Sequence, residues 1–208
     1  MATLTKSAIL KYLKKDSLNA LVITPLLDDK QISGASVDVR LGNQFIVFRM
    51  HALGVYNPYN RDSNARSFQE RHIVNYGEKF VLHPGMLALG ATFEYVSLPG
   101  DLEAQIEGRS SWARLGLQIA TATTIEPHFK GVVTLELSNV GTVPLVLKPG
   151  VRIAQMVMRK AKPYLEEEYG EERKYKCPVG PEFSRIGADR DFWLYEETRE
   201  EDGRVVAS

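Results

Sequence analysis

The sequence predicts an all-β domain, either a sandwich or a barrel. Apolar and polar residues alternate in residues 101–107, DLEAQIE, and in residues 132–137, VVTLEL, as in half-buried strands. Gly and Pro residues punctuate the chain between positions 84 and 150 at the spacing typical of sandwiches and barrels. No long helical pattern separates these runs, which argues against a doubly wound parallel sheet.

The N-terminal residues predict one short amphipathic helix. Ala8, Ile9, Tyr12 and Leu13 follow helical spacing, without the apolar core or cleavage pattern of a signal peptide. No run approaches the roughly 18 apolar residues that a membrane span requires. Cys177 is the only cysteine, which rules out an intrachain disulfide and is typical of a reducing compartment. We therefore expect a cytoplasmic protein.

Length and charge bound the organisation of the chain. Its 208 residues carry 26 basic and 26 acidic side chains, so no global charge attracts a nucleic acid or a membrane surface. Any anion site must be local. We expect a single domain over residues 1–195, and a flexible tail over residues 196–208. The polar, Asn-rich residues 51–72 predict a long loop or insertion.

Several familiar chemistries are excluded by what the sequence lacks. The four histidines, at positions 51, 72, 83 and 128, show no metal-ligand spacing, and one cysteine cannot build the zinc site of nucleobase deaminases. There is no P-loop, no G-x-G-x-x-G and no G-x-S-x-G nucleophile elbow.

Residues 108–117, GRSSWARLGL, predict either an anion-binding turn or a solvated basic turn. A glycine at the end of a strand permits a sharp turn, after which hydroxyls, backbone N–H groups and arginine forks suit phosphate oxygens. The residues alone leave both interpretations open. For Trp112, Leu115 and Leu117 we expect packing in the core or at a subunit interface.

Six stretches, in a fixed order over most of the chain, carry a family resemblance. They are GASVDVRLGNQF (34–45), PGMLALGATFEYVSLP (84–99), GRSSWARLGL (108–117), TATTIEPHFKGVVTLELSN (121–139), PGVRIAQM (149–156) and KYKCPVGPEFSR (174–185). Together they resemble the dCTP deaminase branch of the dUTPase-like superfamily.

That resemblance implies a fold, an assembly and a reaction. The fold is a distorted jelly roll, a dUTPase-like β-barrel, that assembles as a homotrimer with active sites between subunits. The reaction is deamination of dCTP to dUTP and ammonia without zinc, with magnesium bound through the nucleotide triphosphate, and it supplies dUTP for dTTP synthesis. Some members also hydrolyse dUTP to dUMP and pyrophosphate, and dTTP commonly acts as an inhibitor.

The resemblance also assigns catalytic roles. Glu136 matches the carboxylate that takes a proton from water and passes it to the cytosine. Ser110 and Arg114 match positions that hold the attacking water and stabilise charge near the ring, and one helical turn would let them converge. Ala122 matches a residue whose backbone carbonyl orients the water. Periodicity by itself also allows Glu136 to be an ordinary exposed strand glutamate.

Substrate binding is assigned in the same way. Arg109 and Ser111 match triphosphate contacts. Lys174 matches a residue that reaches the phosphates when a C-terminal segment near residues 165–185 closes over the nucleotide, and Tyr169 matches a tyrosine used similarly.

The chain departs from the family pattern at three places. Pro178 stands where many relatives have a glutamine, and it offers no N–H donor, so closure over the base must use other groups such as the backbone. Glu126 stands where the dUTPase-like pattern has an aspartate that activates water for attack on the phosphate chain, and Thr123 and Thr124 replace a glycine and an aromatic residue. We expect a monofunctional deaminase, with a bifunctional deaminase and diphosphatase or a non-catalytic nucleotide-binding regulator as alternatives.

Overall fold

The structure is a computed structural model of the chain. It describes residues 2–17, 20–49, 55–58, 65–120, 124–163, 175 and 177–186. Within these residues the helical elements are short: α1 (Lys6–Leu13), α2 (Ser110–Ala113) and two 3₁₀ turns, Asp29–Gln31 and Ala65–Ser67.

Strands make up the rest of the regular structure. They are β1 (Val22–Thr24), β2 (Val37–Arg40), β3 (Gln44–Phe48), β4 (Gln69–Ile73), β5 (Phe80–Leu82), β6 (Leu87–Ser97), β7 (Leu102–Gly108), β8 (Leu117–Ile119), β9 (Lys130–Asn139), β10 (Leu145–Leu147) and β11 (Arg152–Lys160). The all-β prediction is therefore confirmed, and the two alternating stretches correspond to β7 and β9.

The strands form three antiparallel sheets. The large sheet has the order β4-β3-β6-β9-β8, with β1 also pairing with β6. A three-stranded sheet has the order β2-β11-β7, and a two-stranded sheet pairs β10 with β5. The turn that contains α2 joins β7 of the three-stranded sheet to β8 of the large sheet, so it lies where two sheets meet.

The core lies under the inward face of each long strand. In β7 the alternate residues Leu102, Ala104 and Ile106 are buried, as the period of two predicts. The predicted N-terminal helix is present as α1, and Ile9 is its fully buried residue. The Tyr12 hydroxyl of α1 donates a hydrogen bond of 2.6 Å to the Asp101 carboxylate, and burial with this carboxylate raises the pKa of Tyr12 to about 12.

The pairing of β6 with β9 contains a bulge. The register between the two strands shifts between Ala91 and Tyr95. Inside the bulge the Thr92 hydroxyl donates to the Glu94 carbonyl oxygen at 2.8 Å and accepts from the Val133 backbone N–H at 2.9 Å. One buried hydroxyl thus replaces the ladder hydrogen bonds that the bulge interrupts.

The Glu94 side chain ties the bulge to the opposite layer. It is fully buried and accepts hydrogen bonds from Gln31 Nε2 at 2.7 Å and from the Arg40 backbone N–H at 2.8 Å. Burial raises its pKa, and these hydrogen bonds act in the opposite direction. The carboxylate therefore connects β6 to β2 and to the 3₁₀ turn that precedes β2.

The predicted loop at residues 51–72 is partly wrong. Its last residues begin β4, which pairs with β3 as the edge strand of the large sheet. Four of the five residues of β4 are exposed, so the strand shows no apolar alternation that the sequence could reveal. Residues 51–54 and 59–64 of this region, and the predicted tail at residues 196–208, lie outside the described residues. That residues 1–195 form one domain stays a prediction. No helix in the described ranges is long and apolar enough to cross a bilayer.

The bulge gives a stability prediction. Thr92→Val keeps the shape of the side chain but leaves the buried Val133 N–H without its acceptor, so we expect a loss of about 1–3 kcal/mol in the free energy of unfolding. Thr92→Ser retains the hydroxyl and serves as the control. Urea denaturation at one protein concentration measures both, and equal midpoints for Thr92→Val and the wild type would contradict the role given to the hydroxyl.

Candidate active site

Glu136 lies on β9 on the face opposite the core. Its direct cross-strand neighbour in β6 is Leu89, and the neighbour of Leu89 in β3 is Ile46. Residues directly opposite one another in antiparallel strands share a face. Glu136 therefore stands beside a buried apolar row instead of in open solvent, which excludes the interpretation of an ordinary exposed strand glutamate.

The Glu136 carboxylate is desolvated and incompletely bonded. Its Oε2 atom is buried and has no hydrogen-bond partner among the described residues. Burial raises the pKa of Glu136 above the ordinary glutamate value. A buried carboxylate with a raised pKa and an unused oxygen is suited to accept a proton from a bound water and pass it on.

The basic stretch forms the expected helical turn. In α2 the Arg114 backbone N–H donates to the Ser110 carbonyl oxygen at 3.1 Å, so these two residues lie on the same side of one turn. The side chains of Ser110, Ser111 and Arg114 are exposed and make no hydrogen bond or ion pair with the described residues. They are therefore available to a ligand.

Glu136 and this turn lie at opposite ends of β8. The turn enters β8 at Leu117, which pairs with Asn139, whereas the Ala120 N–H beyond the other end donates to the Glu136 carbonyl oxygen at 3.0 Å. Three strand residues separate these points, or about 10 Å. No hydrogen bond or ion pair joins Glu136 to the turn within the described part of one protomer.

A second polar cluster is built around Asp38, a buried carboxylate of β2. Arg109 lies 3.7 Å from Asp38 Oδ2, Arg152 donates to the same atom at 3.3 Å, and Gln155 donates to Oδ1 at 3.3 Å. Arg152 also pairs with Asp28. The Asp38 carboxylate therefore holds the partly exposed guanidinium groups of Arg109 and Arg152 near the N-terminus of α2. Their remaining N–H donors can bind phosphate oxygens there.

Sequence reasoning found Arg109 in this cluster but missed Asp38, Arg152 and Gln155. The signal that was present is a single acid between the apolar residues Val37 and Val39, both of which are fully buried. A charge inside a buried strand requires a partner, and here the partners come from β11 and from the residue after β7.

Glu126 lies in the turn that precedes β9. The preceding residue, Ile125, forms an isolated bridge with Ala104 of β7, and the Glu126 carbonyl oxygen accepts from the Phe129 N–H at 3.2 Å to close a turn. His128 in that turn is buried and has a φ of 66°. Residues other than glycine rarely adopt this backbone conformation.

The C-terminal segment, residues 177–186, docks on the large sheet through Pro178. The Val132 N–H donates to the Pro178 carbonyl oxygen at 2.8 Å. A Cβ on Gly131, whose φ is 145°, would lie 2.5 Å from Pro178 Cδ, so glycine is required beside the ring. Pro178 thus docks through its backbone carbonyl and its ring.

The three apolar residues of the α2 region for which packing was expected differ in their environments. Leu117 is a core residue, and Trp112 is half-buried with its indole N–H donating to the Arg152 carbonyl oxygen at 2.9 Å. Leu115 is 59% exposed, so its expected core packing is wrong, and an interface role is untested.

Three assigned site residues, Ala122, Tyr169 and Lys174, lie outside the described residues. In the described ranges, no three His, Cys, Asp or Glu side chains come together as metal ligands.

Comparison with known proteins decides the family. Residues 3–161 match the dCTP deaminase-like family model. The chain belongs to the dCTP deaminase-like family. This member is 42% identical over 193 residues to a Haloarcula marismortui protein named dCTP deaminase, covering 91% of this chain and 97% of the relative. It is 46% identical over 176 residues to a Halobacterium salinarum protein named dCTP deaminase, dUMP-forming, covering 83% and 90%.

A solved structure supports the fold of this family member. The crystal structure of 2'-deoxycytidine 5'-triphosphate deaminase from Agrobacterium tumefaciens superposes with a TM-score of 0.58 at 24% identity. The match covers 79% of this chain and 50% of that longer chain. At this identity the likeness establishes the fold alone, and it confirms the dUTPase-like β architecture expected from the sequence.

The buried carboxylate gives a pH-dependent stability prediction. The folded protein binds the Glu136 proton more tightly than the unfolded chain, so ionisation lowers stability as pH rises from about 4.5 through the folded-state pKa. Glu136→Gln has no proton to lose there. We expect the stability of the variant relative to the wild type to increase over that window and stay raised at neutral pH.

Urea denaturation across about pH 4 to 8 measures this difference, a range that begins below the ordinary glutamate pKa of 4.5. Glu107→Gln, which removes an exposed carboxylate at the end of β7, is the matched control. A difference between Glu136→Gln and the wild type that is constant with pH would contradict the desolvation of Glu136.

Proposed function

We propose that this chain catalyses the hydrolytic deamination of dCTP to dUTP and ammonia, without zinc, and so supplies dUTP for dTTP synthesis. The observation that carries the proposal is the half-buried Glu136 carboxylate, with one buried oxygen unused, in a member of the dCTP deaminase-like family. The names of the relatives supply the substrate class.

The proposed mechanism uses Glu136 as a proton shuttle. The carboxylate takes a proton from a water held near Ser110, the hydroxide adds to C4 of cytosine, and N3 receives the proton. Glu136 then takes the proton of the new C4 hydroxyl and passes it to the amine, the C4–N bond breaks, and ammonia leaves as the C4 carbonyl forms. Arg114 stabilises the charge that develops on the ring, and the Ala122 carbonyl orients the water.

The proposed phosphate site is the cluster around Asp38. Arg109, with Ser111 from α2, contacts the triphosphate, and Lys174 and Tyr169 reach it from the C-terminal side. Because Asp38 is already bonded to Arg109, Arg152 and Gln155, this donor set suits a magnesium ion that arrives on phosphate oxygens more than one held by protein ligands. Magnesium is therefore proposed as part of the substrate.

The test is an assay of ammonia and nucleotide products with dCTP and magnesium. We expect the wild type to release ammonia, and Glu136→Gln to lose about 100-fold to 10,000-fold in kcat because the proton shuttle is gone. Folding and nucleotide binding should persist in the variant. Full activity in Glu136→Gln would reject the mechanism, and binding of dCTP without turnover by the wild type would favour the regulator instead.

A second candidate function is a bifunctional deaminase and diphosphatase that forms dUMP and pyrophosphate. Five of eight similar curated relatives, including the Halobacterium salinarum protein, have names that contain "dUMP-forming".

 Glu126 is the carboxylate proposed to activate water for attack on the phosphate chain, in place of the usual aspartate. Its extra methylene moves the carboxylate by about 1 Å, enough to cost on the order of a hundredfold in rate.

Product analysis separates the two functions. A bifunctional site yields dUMP and pyrophosphate along with ammonia, and Glu126→Gln then abolishes pyrophosphate while ammonia release continues. A monofunctional site accumulates dUTP, and the Glu126→Gln substitution leaves the products unchanged. Glu126→Asp is the informative third variant, because it restores the expected residue and should raise pyrophosphate release if the length of the side chain limits the reaction.

We also propose a homotrimer with active sites between subunits. Two observations support it: Glu136 and the α2 turn lie at opposite ends of β8 in one protomer, and Leu115 beside that turn is 59% exposed. A neighbouring copy that brings its own turn to Glu136 would complete the site and cover Leu115. Inhibition by dTTP and a cytoplasmic location belong to the same proposal, as the resemblance and the single cysteine suggest.

Mixing two inactive variants tests this assembly. Glu136→Gln and Arg114→Ala are each expected to lose ammonia release, but a mixed trimer contains sites that combine Glu136 of one subunit with Arg114 of the next. After unfolding and refolding together at equal amounts, about a quarter of wild-type activity should return for random assembly. No recovery in trimers shown by sedimentation to be mixed would mean that each site lies within one subunit.

A further inference from the structure

The C-terminal segment crosses the face of the large sheet that carries Glu136. It starts at the free edge of β9, where Pro178 pairs with Val132, and the Glu182 N–H reaches the Thr134 hydroxyl at 3.4 Å. Thr134 is two residues from Glu136 and shares its face. Gly180 lies against Gln44 of β3, so the segment passes over β6, which lies between β9 and β3.

Arg71 of β4 holds the far side of this segment. Its guanidinium donates to the Pro181 carbonyl oxygen at 3.2 Å and to Gln44 Oε1 at 3.0 Å. The same group lies 5.6 Å from the centroid of the Phe183 ring, within the range of a cation–π contact. A second arginine, Arg66, lies 5.2 Å from that ring. Backbone, amide and ring contacts therefore meet at one side chain.

Arg71 and Glu136 lie in the same row of cross-strand neighbours in the large sheet. Arg71 pairs with Ile46, Ile46 with Leu89, and Leu89 with Glu136. At the usual spacing between strands, Arg71 and Glu136 are about 14 Å apart on one face.

The apolar residues of this face are buried outside the principal core. Ile46 is 0% exposed, Leu89 is 9% and Ala91 is 3%, yet none of them belongs to the core cluster. Among the described residues, the C-terminal segment crosses this face beside the buried row, from Val132 of β9 to Arg71 of β4.

We propose that Arg71 and Phe183 are positioning residues, which together latch the C-terminal segment over the apolar row beside Glu136. The latch acts through the segment and does not touch the reacting atoms. This inference rests on the proposed deaminase function for its kinetic consequences, whereas its structural part stands on the contacts alone.

The single cysteine allows the latch to be measured without activity. Cys177 is exposed and precedes the docked Pro178, so a nitroxide attached there reports the mobility of the segment. We expect Arg71→Ala and Phe183→Leu to narrow the nitroxide lines, and Phe183→Tyr, which keeps the ring, to resemble the wild type. Arg49→Ala is the matched control, because Arg49 is an exposed arginine that pairs with Glu70 away from the segment.

Kinetics then test whether the latch positions the site. With the segment released, we expect kcat for dCTP to fall about tenfold in Phe183→Leu, with recovery in Phe183→Tyr. In the pH dependence of kcat for Phe183→Leu, the acidic limb should move to lower pH, because water then reaches the Glu136 carboxylate. The charged side chains near this face are Arg71 of β4, Arg66 before β4, and Glu182 and Arg185 of the segment. Beside Glu136, β6 contributes Leu89 and Ala91, and the residue after β8 is joined to it by a backbone hydrogen bond. Phe183→Leu changes none of these charges.

The outcomes separate the two proposals. Unchanged line shapes in both Arg71→Ala and Phe183→Leu would overturn the latch. Mobile labels with a wild-type kcat and acidic limb would show that the latch holds the segment without acting on the site, and would overturn the positioning role. A wild type that releases no ammonia would remove the proposed function, while the nitroxide spectra would still decide the latch.

Discussion

The pairing of β6 with β9 is the constraint on which the fold and the candidate site both depend. A strand has a period of two, so a slip of one residue between these strands would move Glu136 into the core and a leucine out of it. The bulge at Thr92 opposes such a slip, because its hydroxyl accepts from the Val133 N–H of β9 in this register, while the buried Glu94 carboxylate ties β6 to β2. Structural stability and the placement of the carboxylate therefore come from the same hydrogen bonds.

Much of the fold could be predicted from the sequence, because half-buried strands carry their burial pattern in local order. β7 and β9 alternate plainly, and α1 shows its helical stripe. β4 could not be predicted, since an exposed edge strand has no apolar face to mark it. The pairing of β4 with β3 depends on the neighbouring strand, and the residues of β4 show no pattern that predicts it.

The site was less accessible to sequence reasoning. Burial raises the pKa of Glu136, and its cross-strand neighbour Leu89 belongs to another strand, so the periodicity of β9 does not reveal this environment. The Asp38 cluster joins residues 114 positions apart in the chain. Family resemblance supplied the identity of Glu136, whereas only the three-dimensional arrangement reveals why its carboxylate is desolvated and what orients Arg109.

The contact between Gly131 and Pro178 has a consequence for how this chain can vary. With only 2.5 Å available for a Cβ at position 131, the side chain tolerated at either position depends on the residue at the other. The two positions are thus energetically coupled although they are 47 residues apart in the sequence. A smaller residue at 178 would still not free position 131, because Gly131 has a φ of 145° and the backbone nitrogen of residue 178 would lie 2.8 Å from a Cβ. The glycine is therefore the more constrained member of the pair, and variation is open to position 178 before it is open to position 131.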